Sequence, residues 1–181
     1  CLLAWLAARS AGGRMVLRLE DLDPDRCTRA YCSQVMRDLE WLGLDWDGEP
    51  VYQSRRTELY AAAFRALEGQ GLIYPCFCTR AERLAASAPH RSDGTAVYDG
   101  RCGRLSEEER AVRAKLRRPA WRVRMPEETV SFSDRLQGVF EENLGRDCGD
   151  FILRRSDGVY AYQLAVVVDD AAMGVTQVVR G

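Results

Sequence analysis

The chain has 181 residues, 46% hydrophobic and 29% charged, with a net charge of −1. It is long enough to bury a core as one domain or a domain with an insertion, and its charge gives no sign of a general polyanion binder. No apolar run approaches the roughly 20 residues needed to cross a bilayer, and seven cysteines in a chain this long argue for free thiols and metal ligands in a reducing, cytoplasmic setting over a disulfide framework.

In chain order, CLLAWLAARSAGG predicts an amphipathic or buried helix ended by Gly12-Gly13. Met15 to Leu19 predicts a short strand running into the acids Glu20, Asp21 and Asp23. Asp23-Pro24 predicts a helix start, with Val35, Met36, Leu39 and Leu42 at helical spacing and Gly43 as the stop. Asp45 to Pro50 is expected as a loop, and a further helix near Ser54 carries Leu59, Ala63 and Leu67. This alternation predicts an α/β unit with parallel strands.

Residues 74–128 differ in character and are expected as an insertion between catalytic-type segments 1–73 and 129–181. Pro89 to Gly103 has loop composition. Ser106-Glu107-Glu108-Glu109 forms a capping box for a helix that Pro119 ends. Trp121, Val123 and Met125 alternate with Arg122 and Arg124, which predicts a half-exposed strand with the arginines outward. DFILRRSDGVYAYQ predicts a hairpin around Asp157-Gly158, LAVVVDDAAMG a helix, and VTQVV a final strand.

The motif richest in chemistry is YPCFCTR. Cys76 and Cys78 point to one side of an extended segment, and YDGRC downstream offers Tyr98 and Cys102 beside a glycine turn. Three thiolates and a fourth donor suit tetrahedral zinc. Free cysteine is also commonly a small buried hydrophobe, but same-face cysteines recurring with a third beside a turn favour the metal. On residues alone the fourth ligand stays open between Tyr98 and His90, the only histidine. Cys1, Cys27, Cys32 and Cys148 have no partner spacing and are expected in the core or on the surface.

Carboxylates at the end of a strand lie where α/β sheets bind ligands, which singles out Glu20, although such acids also cap helices. Tyr162, among apolar neighbours, would by default be core, and Arg180 would by default be solvated. The stretch from Arg110 to Arg124 gathers seven positive charges. Such a patch can contact phosphates, but a basic helix is more often a solvated face.

Taken together, GRMVLRLEDLDPDR, VYQSRR, YPCFCTRAE, VYDGRC and DFILRRSDGVYAYQLAVVVDDAAMGVTQVVRG resemble the class I glutamyl-tRNA synthetase catalytic domain, in the family's order and over nearly the whole chain. The likeness is nearest to that family's truncated branch, which glutamylates queuosine in the anticodon of tRNA(Asp). The resemblance implies a Rossmann-like α/β catalytic domain with a zinc-bearing insertion, in a cytoplasmic monomer. It implies ATP with Mg2+ and glutamate as substrates of an adenylate-forming ligase. Glu20 would hold the glutamate α-amino group with Tyr162 beside it, and Arg180 would grip the side-chain carboxylate. It also implies structural zinc on Cys76, Cys78, Tyr98 and Cys102, since this branch carries Cys-x-Cys followed by Tyr-x-x-x-Cys, where the longer enzymes that bind zinc tend to end in Cys-x-His.

The family's His-x-Gly-His and Lys-Met-Ser-Lys-Ser type signatures are not in this sequence, whose only histidine is His90 and only lysine Lys115. An internal portion of a longer protein is therefore expected, and no ATP-site or catalytic residue can be named. Two other functions stay in view: a glutamyl-tRNA synthetase fragment charging tRNA(Glu), and a non-catalytic zinc-bearing RNA-binding module.

Overall fold

A computed structural model describes residues 1–79, 81–82, 88–89 and 96–179. His90 and Arg180 lie outside the described residues. The elements run α1 (Leu2–Ser10), β1 (Arg18–Leu19), α2 (Arg29–Trp41), β2 (Val51–Tyr52), α3 (Thr57–Gly69), β3 (Ile73–Cys76), β4 (Ala88–Pro89) and β5 (Ala96–Val97). They continue through α4 (Glu107–Leu116), β6 (Ala120–Val123), β7 (Thr129–Asp134), β8 (Gly138–Asn143), β9 (Ile152–Arg154) and α5 (Tyr162–Met173). The chain divides into two compact units, Cys1–Ala61 with Leu164–Gly181, and Ala62–Gln163.

In the first unit the Leu/Ala-rich α1 forms as its propensities require, but it buries none of its residues. Polar contacts hold it instead. Trp5 Nε1 donates to Asp45 at 2.8 Å, and Arg9 reaches Asp45 at 3.0 Å and Asp47 at 2.7 Å. Asp47 also accepts the Met15 amide at 2.7 Å. The expected parallel pairing is present: β1 and β2 run side by side with Arg18 opposite Val51. The strand β2 directly follows the expected 45–50 loop.

The start of α2 differs from the sequence expectation. Thr28, not Asp23, is the N-cap, its hydroxyl accepting the Tyr31 amide at 3.4 Å. Asp23 instead closes a separate turn, its carbonyl accepting the Arg26 and Cys27 amides at 3.2 and 2.8 Å. Two caps compete within this stretch, and the helix begins at the second one. Residues 175–179, expected as a strand, follow α5 without a β-ladder; the Val175 amide bonds back to the Asp170 carbonyl at 2.9 Å, closing the helix end.

α5 tolerates its valines because Leu164, Ala165 and Val166 are packed inside. Between them and the end of the helix sits Asp169, with no exposed surface. Its carboxylate accepts Gln53 Nε2 at 2.9 Å, Arg56 Nε at 2.6 Å and the Tyr60 hydroxyl at 2.8 Å. Those donors come from the turn Gln53–Arg55, from Arg56 that caps it, and from the start of α3. Next along the chain, Asp170 meets Arg18 of β1 at 2.5 Å.

In the second unit β3, β6 and β9 form an antiparallel sheet in that order. Phe64 of α3 packs edge-on against Trp121 at 5.9 Å between ring centroids. The predicted capping box is present, with Ser106 and Glu109 satisfying each other's amides. The chain reverses at Asp157-Gly158, where Arg154 bridges Tyr160. Sequence reading did not anticipate the β7–β8 hairpin, whose Phe132 and Phe140 face each other in register with stacked rings 5.5 Å apart.

Removing the Asp169 carboxylate strands an arginine, a glutamine and a tyrosine hydroxyl around one hole. Asp169→Ala is expected to cost about 3 kcal/mol, read as a lower urea midpoint; a change below about 1 kcal/mol would show that the node does not hold α5. The α1 contacts should instead respond to pH. Hydrogen bonds from Trp5 and then Arg9 hold Asp45 below the usual carboxylate range, and the Met15 amide and then Arg9 do the same for Asp47. Depressed folded-state values mean stability that is complete above the unfolded carboxylate range and lost as pH falls through the lowered ones. Proteolysis within residues 1–14 should accelerate on acidification, and Asp47→Asn should flatten that response.

Candidate functional site

The end of β3 delivers Cys76, and the extended residues after it deliver Cys78. The glycine turn returns the partners. Asp99 accepts the Arg101 amide at 3.2 Å, Gly100 takes the left-handed conformation at φ 70°, and a single 3-10 turn, Arg101–Arg104, follows. That turn folds Cys102 back under Tyr98, so that the Cys102 amide donates to the Tyr98 oxygen at 3.2 Å. Space at Gly103 is tight: a Cβ would lie 3.2 Å from the Tyr74 ring and 3.4 Å from the Arg124 guanidinium, so those side chains would have to give by a few tenths of an ångström.

The three thiol sulfurs lie within 4.8 Å of one another. Cys78 stands 3.5 Å from Cys102, and the Tyr98 oxygen is 3.5 Å from Cys76 and 3.4 Å from Cys78. A zinc tetrahedron with metal–sulfur bonds of about 2.3 Å and a metal–oxygen bond of about 2.0 Å places sulfurs about 3.8 Å apart and sulfur and oxygen about 3.5 Å apart. The donor set and its spacing fit. Cys76, Cys102 and Tyr98 are buried, and the Phe77 amide already points at Cys102 at 3.4 Å.

Burial pushes the Tyr98 hydroxyl far upward, reinforced by hydrogen bonds with Cys102, Cys78 and Cys76. Burial also lifts the Cys78 thiol to about 11. At Cys76 burial acts in the same direction, but hydrogen bonds from Tyr98, the Cys78 amide and Arg122 outweigh it and hold that thiol below its ordinary value. A divalent ion would favour the deprotonated form of all four donors.

Behind the cluster stands Arg122, which the alternation of its strand placed outward. It is only 5% exposed. Its guanidinium lies 3.8 Å from the Tyr98 ring centroid and donates to the Asp150 carbonyl at 2.5 Å. The Asp150 carboxylate accepts the Tyr74 hydroxyl at 2.5 Å and the Met125 amide at 2.8 Å. The expected basic patch therefore loses Arg122 to the interior, while Arg113, Lys115, Arg117, Arg118 and Arg124 remain exposed.

In the first unit, a cleft of about 330 Å3 opens where β1 and β2 end, lined by Asp21, Cys27, Arg29, Cys32, Ser33, Tyr52, Ser54 and Arg55. Asp21 shapes it by accepting the Ser54 amide at 2.9 Å and hydroxyl at 2.7 Å. Arg55 lies over the Tyr52 ring at 4.5 Å. Arg29 at the start of α2 and Arg55 after β2 give the recess two guanidinium groups, and Asp21 gives it a carboxylate. Glu20 leaves β1 half exposed, and Arg18 reaches it at 3.2 Å. Tyr162 opens α5 and is 47% exposed, so it is not the core residue that its apolar neighbours suggested. The other cysteines divide as free thiols: Cys32 is buried, Cys27 and Cys148 partly so, and Cys1 is exposed.

These features have a family. The chain matches the model for the catalytic domain of class I tRNA synthetases (E and Q) across residues 1–181, and it belongs to that family. Two solved structures share its fold: a glutamate tRNA ligase from Elizabethkingia meningosepticum in complex with its amino acid, and a glutamate-tRNA synthetase from Elizabethkingia anophelis. Their TM-scores are 0.78 and 0.79, with 28% and 29% identity, over 99% and 98% of this chain and 39% of each of theirs.

Curated relatives are nearer in sequence. The chain is 53% identical to the glutamyl-Q tRNA(Asp) synthetase of Nitratidesulfovibrio vulgaris, over 99% of its length and 59% of the relative's. It is 49% identical to the protein of that name from Neisseria meningitidis serogroup C, and 46% to that from Thiobacillus denitrificans. It covers 57% and 56% of those two, so it spans a little over half the length of the relatives it matches.

Proposed function

We propose that this chain is the catalytic-domain portion of an enzyme that activates glutamate with ATP and transfers the glutamyl group to queuosine in the anticodon of tRNA(Asp). One observation carries the reading: 46–53% identity, sustained over 98–99% of the chain, to proteins named for that reaction. Segments 1–73 and 129–181 would supply the catalytic fold and 74–128 the zinc-bearing insertion. ATP, accompanied by Mg2+, and glutamate would form glutamyl-adenylate with release of pyrophosphate, after which the acyl group moves to the RNA. Among the residues that resemble the family's site, Glu20 would hold the α-amino group, Tyr162 would stand beside it, and Arg180 would clamp the side-chain carboxylate through two parallel hydrogen bonds. Acceleration then rests on positioning and on stabilising charge in the transferring groups, with no covalent enzyme intermediate.

A second reading, a synthetase that charges tRNA(Glu), draws on the solved structures, both of them glutamate ligases of tRNA. Pyrophosphate exchange separates the two. The full-length protein should exchange glutamate-dependently, and not with aspartate or glutamine, in the absence of RNA. Exchange that appears only when tRNA is added favours the tRNA(Glu) enzyme. Arg180→Ala should cost about 2–5 kcal/mol in glutamate activation, or roughly 30- to several-thousand-fold. Arg180→Lys should recover part of it. An unchanged preference for glutamate over glutamine in Arg180→Ala would remove Arg180 from the site.

The zinc reading has its own measurement. Protein purified without chelators should carry one zinc per chain, held by Cys76, Cys78, Tyr98 and Cys102. Four protein ligands leave no position for a reacting water, so the role is structural. Cys102→Ser should lower metal content and loosen the insertion before it alters glutamate activation. Metal-free protein with normal stability, or a disulfide between two of these cysteines, would refute the site.

A further inference from the structure

Three thiolates and a phenolate carry four negative charges, and a divalent zinc neutralises only two of them. The remainder would sit among Tyr74, Cys76, Tyr98 and Cys102, none of which is more than 8% exposed. Buried net charge of this kind is costly without a counter-ion. Arg101, the cation next to the cluster in sequence, is exposed and paired with Asp99 at 2.9 Å. Arg122 is the buried cation among the described residues, 5% exposed. Its guanidinium carbon stands 3.8 Å from the Tyr98 ring centroid, it bonds the Asp150 carbonyl and reaches the Cys76 sulfur, and its Nε is buried with no hydrogen-bond partner among the described residues. A permanent charge is thus placed against one sulfur of the cluster, where negative charge would accumulate, with a carbonyl as its other acceptor.

We infer that Arg122 is the internal counter-cation of the metal centre, balancing the excess negative charge of a zinc-loaded Cys76–Cys78–Tyr98–Cys102 cluster and holding the Tyr98 ring in the orientation that turns its oxygen toward the sulfurs. The inference rests on the zinc reading above. Arginine suits the position because it stays charged when desolvated and presents a flat face to the aromatic ring. In this role Arg122 is a positioning residue for the cluster.

The test is zinc affinity, measured by competition with a chromophoric chelator on purified full-length protein, with circular dichroism to confirm folding. Arg122→Gln keeps an amide donor for the Asp150 carbonyl and loses the charge; it should bind zinc about 30-fold or more weakly. Arg122→Lys keeps the charge and should stay within about tenfold of wild type. Tyr98→Phe removes one negative charge from the cluster by admitting a neutral water, so in that background the Arg122→Gln penalty should shrink to less than about tenfold. A purely structural Arg122, acting through Asp150, would cost the same in both backgrounds. Equal penalties, or wild-type affinity in Arg122→Gln, overturn the inference while leaving the zinc reading intact. Should Arg122→Gln not fold, Arg122→Lys decides: affinity within about tenfold supports a charge role, and a larger loss overturns it. Wild-type protein that takes up no zinc removes both readings together.

Discussion

Asp169 is a carboxylate shut away from water, and the architecture of the first unit follows from the need to satisfy it. An isolated buried carboxylate is costly enough to be neutralised or expelled. Here three donors, Gln53, Arg56 and Tyr60, converge on its two oxygens. That fixes the turn after β2 and the first turn of α3 against α5. Asp170, the next residue, reaches Arg18 in β1, and Arg18 in turn reaches Glu20. A single acidic pair on one helix thus sets the positions of both parallel strand ends. The cleft lined by Asp21, Arg29 and Arg55 lies beside those ends.

The second unit solves the same problem with the charges exchanged. Besides Asp147, which is paired with Arg146, its buried ion among the described residues is a cation, Arg122, and the atoms around it are a carbonyl, an aromatic face and thiols. None of these is a full negative charge while the thiols are protonated. A core can be stable with such an arrangement only if the charge is delocalised or if something nearby becomes anionic. Asp150 stabilises the frame, bonding Tyr74 in β3 and the Met125 amide beyond β6, but its carboxylate is engaged there. In the proposed zinc-loaded state, the deprotonated ligands would supply that anionic partner.

How much of this could be read in the sequence differs by the range of the interaction. The capping box at Ser106, α1 and α5 were legible because helix signals are local. The Cys-x-Cys and Tyr-x-x-x-Cys pairs were legible because each is a short motif with a fixed spacing, although choosing Tyr98 over His90 required the family likeness. The start of α2 was misread because Asp23 and Thr28 are both acceptable caps, and local preference does not rank them. The interior place of Arg122 was not legible at all. Alternation along β6 assigns faces correctly only when one face of the sheet meets water, and here Arg122 and Val123 are both buried. Asp169 left a weak trace, a pair of acids in a valine-rich helix, which a search for unexplained polar residues in apolar segments would have found.

The choice of cation runs through all of these sites. Lys115, the one lysine, lies on the exposed helix α4, whereas the cations drawn inward are arginines: Arg18, Arg56 and Arg122. A buried lysine readily sheds its proton, and a neutral amine beside Asp169 or the cysteine cluster would leave the partner's charge uncompensated. Guanidinium keeps its charge and divides it over several donors, so Arg18 can serve Asp170 and Glu20 at once. That sharing matters most at Glu20. The 2.5 Å contact of Arg18 goes to Asp170 and its longer 3.2 Å contact to Glu20. The Glu20 carboxylate is half exposed at the strand end and keeps acceptor capacity there, which is what its proposed role toward an amino group would need.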